Sequence, residues 1–330
     1  MSQFINAIGI DVSKNTLEVH DHLGQLSVQV PNRNEGFNQL LKWTRKSNGK
    51  LSQVLFCLEH TGMYSLPLAV YLTEQKIAFA MVPGLQIKRS IGIQRGKSDQ
   101  ADAQAIARFA FLHREEVKPY KLPSAQILEL KSLLSLREKM VSHRAGYQAT
   151  RKEMKAFSSI KSKLMLTIQS KLIGELGAQI AEIEKQIRSI ISSDPELKRI
   201  FDLVTSVKGV GLIVGTTIMV YTNCFTAFDD WRKFACYCGI VPFPFQSGTS
   251  IRGKMKLHHL ANKRLKALLS NAASTSINYN PEMKLYYQRR LNEGKSKMST
   301  QNIIRNKIVA RVFAVVQRGT PYVDTFRYAA

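Results

Sequence analysis

Cysteine is scarce: four in 330 residues, at 57, 224, 236 and 238. They are too few and too irregularly spaced to frame a chain of this size with disulfides. Cys236 and Cys238 are separated by one residue, whereas zinc pairs have at least two between them and need two further ligands, so small buried thiols are expected there. No segment approaches the ~20 consecutive apolar residues of a transmembrane helix, which leaves no membrane partner. Nor is a secretory signal visible, because Met1 to Asn6 lacks a basic start and the apolar run after it is broken by Asp11; a cytoplasmic location is expected. Long low-complexity tracts are missing too, and a composition 44% hydrophobic and 22% charged excludes a disordered chain. The most telling shortage is of acid: 24 Asp+Glu stand against 48 Lys+Arg, a formal charge of +24. Solubility needs far less, and a polyanion is the natural partner. The excess is uneven, since residues 251–330 hold 16 Lys/Arg and 3 acids. Phosphate contacts should concentrate there.

What is present reads as strands first. Ile8 to Val12, Thr16 to Val19 and Leu26 to Val30 are apolar runs separated by turn residues, and a helix follows with Asn34 as its N-cap and Phe37, Leu40, Leu41 and Trp43 on one side. Val54 to Leu58 is a buried strand ending at Glu59, Tyr64 to Glu74 a helix, and Ile77 to Val82 another strand. This alternation implies a mixed sheet with covered faces. Ser98 opens a helix running to about His113, and Lys118 to Pro123 breaks the pattern. Proline is absent from 124 to 193. A helix is expected from Ile127 to about Phe157, and Ile173, Leu176, Ile180, Ile183, Ile187 and Ile190 then form an a/d seam. An antiparallel hairpin, helices paired between subunits, or a helix packed on its own domain all fit that seam. Asp194-Pro195 starts a mostly helical final segment. In it, Val207 to Gly211 resembles the turn of helix-hairpin-helix modules, whose glycine amides approach phosphates, although a tight inter-helix turn needs glycine anyway.

Four carboxylates carry the chemistry. Asp11 interrupts one apolar strand and Glu59 terminates another, so both lie where α/β sheets build sites. Asp99 and Asp102, three apart on a helix, share a face. Acids in a first turn are ordinary dipole partners, so only the combination is informative. Converging carboxylates repel one another unless a hard cation lies between them, and Mg²⁺ or Mn²⁺ with phosphate oxygens is their proper complement. Two such ions about 4 Å apart can stabilise attacking and leaving oxygens in phosphoryl transfer.

The stretches Ile8-Gly9-Ile10-Asp11-Val12-Ser13-Lys14, Glu59-His60-Thr61-Gly62 and Lys97-Ser98-Asp99-Gln100-Ala101-Asp102-Ala103 resemble the DEDD signature of transposases from the 110 family of insertion sequences. Phe234-Ala235-Cys236-Tyr237-Cys238-Gly239-Ile240-Val241-Pro242 and Gln246 to Gly253 resemble that family's C-terminal domain, and the order of the motifs is the family's. The resemblance implies an α/β RNase H-like (RuvC-like) domain over 1–118, a long helical coiled-coil connector over 119–196, and a mostly α-helical transposase domain over 197–330. It implies that Asp11, Glu59, Asp99 and Asp102 bind metal and that Ser247 is the nucleophile, with Ser250 its rival. Read alone, Ser247 to Ser250 is a polar loop. A phosphoseryl link would conserve phosphodiester energy during strand exchange. His258 and His259 lie close by but read as surface or phosphate-contact residues. His60 and Ala261 depart from the family pattern, standing where small residues and glycine are common.

The resemblance further implies double-stranded DNA at donor and target sites as substrate, a guide (bridge) RNA transcribed from the element, and a homo-oligomer, dimer or tetramer. Candidate nucleic-acid contacts are Lys208, Gly209 and Gly211 in the helical turn, with Arg252, Lys254, Lys256, Lys263 and Arg264 in the basic last quarter. Two other classes compete with a DNA transposase/recombinase. One is a metal-dependent structure-specific nuclease or junction resolvase in which Ser247 only supports a loop; the other is a non-enzymatic nucleic-acid-binding protein whose carboxylates are caps.

Overall fold

Alternation along two central strands builds the first layer structure. Ile8, Ile10 and Val12 of β1 (Asn6–Val12) and Val54, Phe56 and Leu58 of β4 (Val54–Glu59) enter one core. Their neighbours Ala7, Leu55 and Cys57 enter another. Both faces of these strands are therefore covered, which is why they read as continuous apolar runs. A computed structural model describes residues 4–59, 62–92, 98–157, 163–247, 251–256 and 261–324. The chain divides into two compact units, Met1–Leu122 and Pro123–Ala330.

In the first unit a five-stranded sheet has the order β3-β2-β1-β4-β5, with β2 at Thr16–Asp21, β3 at Leu26–Pro31 and β5 at Phe79–Val82. β1, β2 and β3 are antiparallel, whereas β4 and β5 run parallel to β1. Helices α1 (Asn34–Asn48) and α2 (Leu66–Glu74) cover one face through Phe37, Leu40, Leu41, Leu68 and Leu72. On the opposite face, α4 (Asp99–Leu112) packs through Ile106, Phe109 and Ala110. Asn34 is not the cap of α1: Arg33 takes that position without a side-chain hydrogen bond, and Asn34 is the first helical residue. The tight entry explains it, since a Cβ on Gly36 would lie 1.9 Å from the Pro31 carbonyl oxygen, and the chain turns on backbone contacts alone. A short helix, α3 (Gly84–Ile91), follows β5 where the sequence reading placed none.

The second unit is mostly helical. α5 (Ala125–Phe157) and α6 (Lys163–Ser193) form an antiparallel pair. Arg137 donates from Nε to Glu184 at 2.7 Å, and farther out Gln169 reaches the Met154 sulfur at 3.6 Å. The seam is graded. Ile180, Ile183, Ile187 and Ile190 are buried, whereas Ile173 and Leu176 are half-buried and Leu164, Met165 and Ile168 are exposed. Ile183, Ile187 and Ile190 share one core with Ile127, Leu130 and Leu134 of α5 and with Leu197, Ile200 and Leu203 of α7 (Pro195–Ser206), so this half of the seam packs within its own unit. Ile183→Asp is expected to destabilise the protein by several kcal/mol, roughly, because a buried carboxylate loses its hydration there. Thermal unfolding checks this, and a melting temperature unchanged by Ile183→Asp would show that the seam does not hold the helices.

The remaining elements are α8 (Leu212–Tyr221), α9 (Trp231–Tyr237), α10 (Lys263–Tyr279), α11 (Pro281–Asn292), α12 (Lys297–Arg318) and a hairpin of β6 (Phe243–Ser247) and β7 (Ile251–Lys256). This hairpin was not read from the sequence. Pro244 interrupts the strand pattern, and the ladder is irregular between Phe243 and Phe245, where proline has no N–H to offer. Among the described residues no helix is long and apolar enough to cross a membrane.

Candidate active site

Strand parity sets two of the four carboxylates. Asp11 follows Ile10 and Glu59 follows Leu58, and Ile10 and Leu58 are register partners on parallel strands. Asp11 thus shares the face of Ala7 and Gly9, and Glu59 that of Leu55 and Cys57. That is the face covered by α4. The two acids stand side by side at the carboxyl ends of β1 and β4, facing the helix that carries the other two.

Gly9 allows the close approach. A Cβ there would lie 2.2 Å from the Ala107 nitrogen and 2.3 Å from the Ala103 oxygen, so the α4 backbone rests directly on β1. Ser98 caps α4 by accepting from the Ala101 N–H at 3.1 Å, which places Asp99 and Asp102 in its first turn. All three partners act on Asp11. Its pKa is raised from 3.8 to about 6, by burial first and then by the charges of Asp102, Asp99 and Glu59, against one backbone hydrogen bond from Val12. Mutual repulsion of this kind is what a cation would relieve. Among the described residues, no group of three or more acids, histidines or cysteines stands close enough together to grip an ion as placed. The donor set fits a hard cation in its all-oxygen chemistry and in the charge it brings to bear on Asp11, and not as a closed ligand cage.

Glu59 has a further neighbour that sequence reading missed. A Cβ built on Gly84 would lie 2.0 Å from Glu59 Oε1, so the carboxylate rests against the bare Cα at the start of α3. Pro83-Gly84 was visible in the sequence as a turn signal only. Because the obstacle would be the free end of a flexible side chain, Gly84→Ala is expected to leave the melting temperature nearly unchanged while swinging Glu59 away. A misplacement near 1 Å can lower activity by about 10²-fold. Strand-cleavage assays beside thermal unfolding check this, and full activity in Gly84→Ala would remove Gly84 from the site.

Ser247 closes β6 opposite Ile251; Gly248, Thr249 and Ser250 lie outside the described residues, as do His60, His258 and His259. Four contacts hold the root of this hairpin. Gly239 has φ +66, and a Cβ there would meet the Ala261 methyl at 2.4 Å, so Ala261 is accommodated by the glycine across from it. The Asn262 N–H donates to the Tyr237 carbonyl at 2.9 Å. The side-chain amides of Asn302 and Asn306 both donate to the Ile240 carbonyl, at 2.6 and 2.9 Å.

The candidate nucleic-acid contacts separate by environment. Lys208 and Lys263 are exposed. Gly209, at φ +94, packs within 2.6 Å of the Ala272 carbonyl if a Cβ is added, so close packing accounts for it, whereas Gly211 faces open space at the start of α8. Arg264 is engaged within the protein, pairing with Glu138 at 2.9 Å and donating to the Leu134 carbonyl at 2.8 Å. Arg252, Lys254 and Lys256 lie along β7. Cys238 and Cys57 are buried free thiols, and burial pushes Cys57 up to about 12.

A transposase family model of the DEDD type, named for IS110, matches residues 8–155, and the transposase model of the IS116/IS110/IS902 family matches residues 201–288. The chain belongs to the IS110 family of transposases. Relatives agree with this. A pilin gene-inverting protein of Moraxella bovis is 25% identical over 325 residues, covering 96% of this chain and 97% of that protein. An uncharacterized 43.6 kDa protein of insertion element IS110 from Streptomyces coelicolor is 27% identical over 140 residues, 42% of this chain and 33% of its own length. The DEDD transposase model begins at Ile8 and spans Asp11, Glu59, Asp99 and Asp102. As a member of this family the protein is a DNA-recombining enzyme, and DNA is its substrate.

Proposed function

We propose that this transposase cleaves and rejoins DNA strands through a covalent phosphoserine at Ser247, with a divalent cation at Asp11, Glu59, Asp99 and Asp102 and an element-encoded guide RNA choosing the DNA sites. The observation that carries the reading is that Asp11 and Glu59, at the ends of β1 and β4, face Asp99 and Asp102 in the first turn of α4, and that burial together with these three charges raises Asp11 to about 6. The mixed sheet supports an RNase H-like (RuvC-like) assignment for the first domain, and the antiparallel pair α5–α6 supports a coiled-coil connector. We assign the domains to 1–118, 119–196 and 197–330.

Mg²⁺ or Mn²⁺ held there would supply Lewis-acid polarisation of a phosphate oxygen. The protein's own residues do the rest. Asp11, Glu59, Asp99 and Asp102 would hold that ion, and Asp11, which is a carboxylate above about pH 6, can accept a proton below that. Ser247 gives up its hydroxyl proton to water as its Oγ–P bond forms and one P–O bond of the strand breaks. The departing strand end takes a proton. Attack by another strand end on the phosphoserine reverses these steps and restores Ser247. One phosphodiester is exchanged for another, so no ATP is consumed.

The nearly full-length relative is named for inverting a gene, and inversion needs rejoining as well as cutting. Hydrolysis alone does not supply that. RNA guidance suits the charge distribution, because a protein that delegates sequence choice needs backbone-binding surface more than base-reading side chains. A homo-oligomer, dimer or tetramer, completes the reading. The test is to incubate the purified protein and its co-purifying nucleic acid with DNA carrying the element junction, in Mg²⁺ and in chelator. Joined strands in Mg²⁺ alone, together with a defined co-purifying RNA that matches the element's flank, are expected. Hydrolysed ends with no joined product would replace the mechanism with that of a nuclease.

A further inference from the structure

Two charged side chains among the described residues are buried to the exclusion of nearly all solvent: Asp21, 1% exposed, and Arg305, 4% exposed. They are not treated alike. Asp21 accepts from Asn6 and Asn48 at 2.6 Å each and from the Gly24 N–H at 3.0 Å, a full set of donors for its charge. Arg305, on α12, has no carboxylate. Its Nη1 donates to Asn302 Oδ1 at 3.2 Å and its Nη2 to Gln301 Oε1 at 3.0 Å, both neutral acceptors, and its buried Nε has no partner.

Among the described residues no anion serves it. Among the described residues Arg305 makes no ion pair, and the stretches outside them contain no Asp or Glu. Two of the three acids of residues 251–330 have other partners: Glu282 takes Arg311 at 2.6 Å and the Tyr322 hydroxyl, and Glu293 takes Arg290 at 2.6 Å. Burial lowers the pKa of Arg305, yet a guanidinium stays protonated in proteins. A buried charge without a counter-ion is costly, and well-packed apolar replacements at such positions commonly stabilise. Stability therefore gives no reason for arginine here.

Its location gives one. Asn302 accepts from Arg305 through Oδ1 and donates through Nδ2 to the Ile240 carbonyl, so the guanidinium lies one hydrogen-bonded residue from the root of the β6–β7 hairpin. β7 carries Arg252, Lys254 and Lys256. The hairpin, like the root beneath it, lacks acid.

We propose that Arg305 is a phosphate-binding residue, a guanidinium kept buried and unpaired in the free protein that takes a nucleic-acid backbone phosphate when a strand seats at the root of the hairpin. The planar fork suits two phosphate oxygens at once, with Nε and a terminal nitrogen as donors. Uncovering it requires the root to shift. Among the described residues the hydrogen bonds from α12 to that root all end on one carbonyl, Ile240, so the shift has to break those two. The inference rests on the chain handling nucleic acid and not on Ser247 being a nucleophile.

The test uses the full-length protein, a labelled ~30-bp DNA duplex and an RNA of matched length, with binding read between ~50 and ~200 mM salt. Arg305→Met is expected to melt at or above the wild type without nucleic acid, to bind at least about 10-fold more weakly, and to lose about one unit of the salt slope. The arm that weakens, DNA or RNA, identifies the source of the phosphate. Unchanged affinity and slope on both arms overturn the proposal. Should Arg305→Met fail to fold, Arg305→Gln decides, because it keeps hydrogen bonds to its neighbours without the charge: weaker binding with a reduced slope supports the site, and wild-type binding sinks it. Wild-type protein that ignores both probes would strike the nucleic-acid reading itself, a result separable from failure at Arg305 alone.

Discussion

Asp11→Asn, Glu59→Gln, Asp99→Asn and Asp102→Asn are each expected to abolish strand cleavage and joining, by at least about 10³-fold, while the protein stays folded. Each change removes a charge and leaves the shape, so no cavity forms at Gly9 or Gly84. The stability response separates a metal site from a set of caps. Asp11 has a folded pKa of about 6 against 3.8 ordinarily. The folded state therefore holds that proton more tightly than the unfolded state does. The resulting stability is fully present below the unfolded value and is lost as pH rises through about 6. In metal-free protein, Asp11→Asn should accordingly melt higher than the wild type at about pH 8 and close to it at about pH 4. Added Mg²⁺ should then raise the melting temperature of the wild type and not that of the variant. Capping residues would behave otherwise, since loss of a cap lowers stability at neutral pH and responds to no ion. Single variants with full activity under limiting Mg²⁺ would exclude a common metal site.

Much of this arrangement was legible in the residues. Apolar runs bounded by turn residues marked β1 to β4, and the interruption of Ile8-Gly9-Ile10 by Asp11 and the ending of Val54 to Leu58 at Glu59 singled out the two strand-borne acids before any contact was known. What local patterns could not supply was the third dimension. Nothing in a window around Gly9 says that the backbone of α4 will rest on it, because Ala103 and Ala107 lie nearly a hundred residues away. Gly84 was hidden for the same reason: its partner, Glu59, is on another strand, and Pro-Gly has an adequate local explanation as a turn. The cap of α1 was misplaced because asparagine's intrinsic preference was overridden by the close seat of Gly36 on Pro31.

In the second unit the isoleucine seam was plain, but its partner was not. Periodicity reports which face is apolar and says nothing of what covers it, and here the inner half is covered by α5 and α7 of the same unit. The β6–β7 hairpin escaped because Pro244 breaks the alternation that would announce β6. Arg305 could not be distinguished from the other basic residues of the last quarter, since burial, unlike charge, is not written in composition.

Ser247→Ala is expected to bind DNA as the wild type does and to yield neither a covalent protein–DNA adduct nor joined strands, a loss of at least about 10³-fold in joining. The tetrad variants cannot make this distinction, because carboxylates and a cation activate water as readily as serine. An adduct can. Reactions on DNA with a nick or a phosphorothiolate near the cleavage point trap the intermediate when the strand end that would complete rejoining is lost or made unreactive. Denaturing gels then show the linkage, and peptide mapping locates it. The position of Ser247 bears on the outcome: it ends β6 in register with Ile251, on a hairpin whose root is held by Asn262, Asn302 and Asn306. The ladder fixes the backbone of Ser247 at a strand end, which favours it as the nucleophile. Ser250→Ala should therefore keep at least part of the activity. Mapping of the adduct to Ser250 would move the nucleophile by three residues, and robust cleavage by Ser247→Ala would replace strand transfer by hydrolysis.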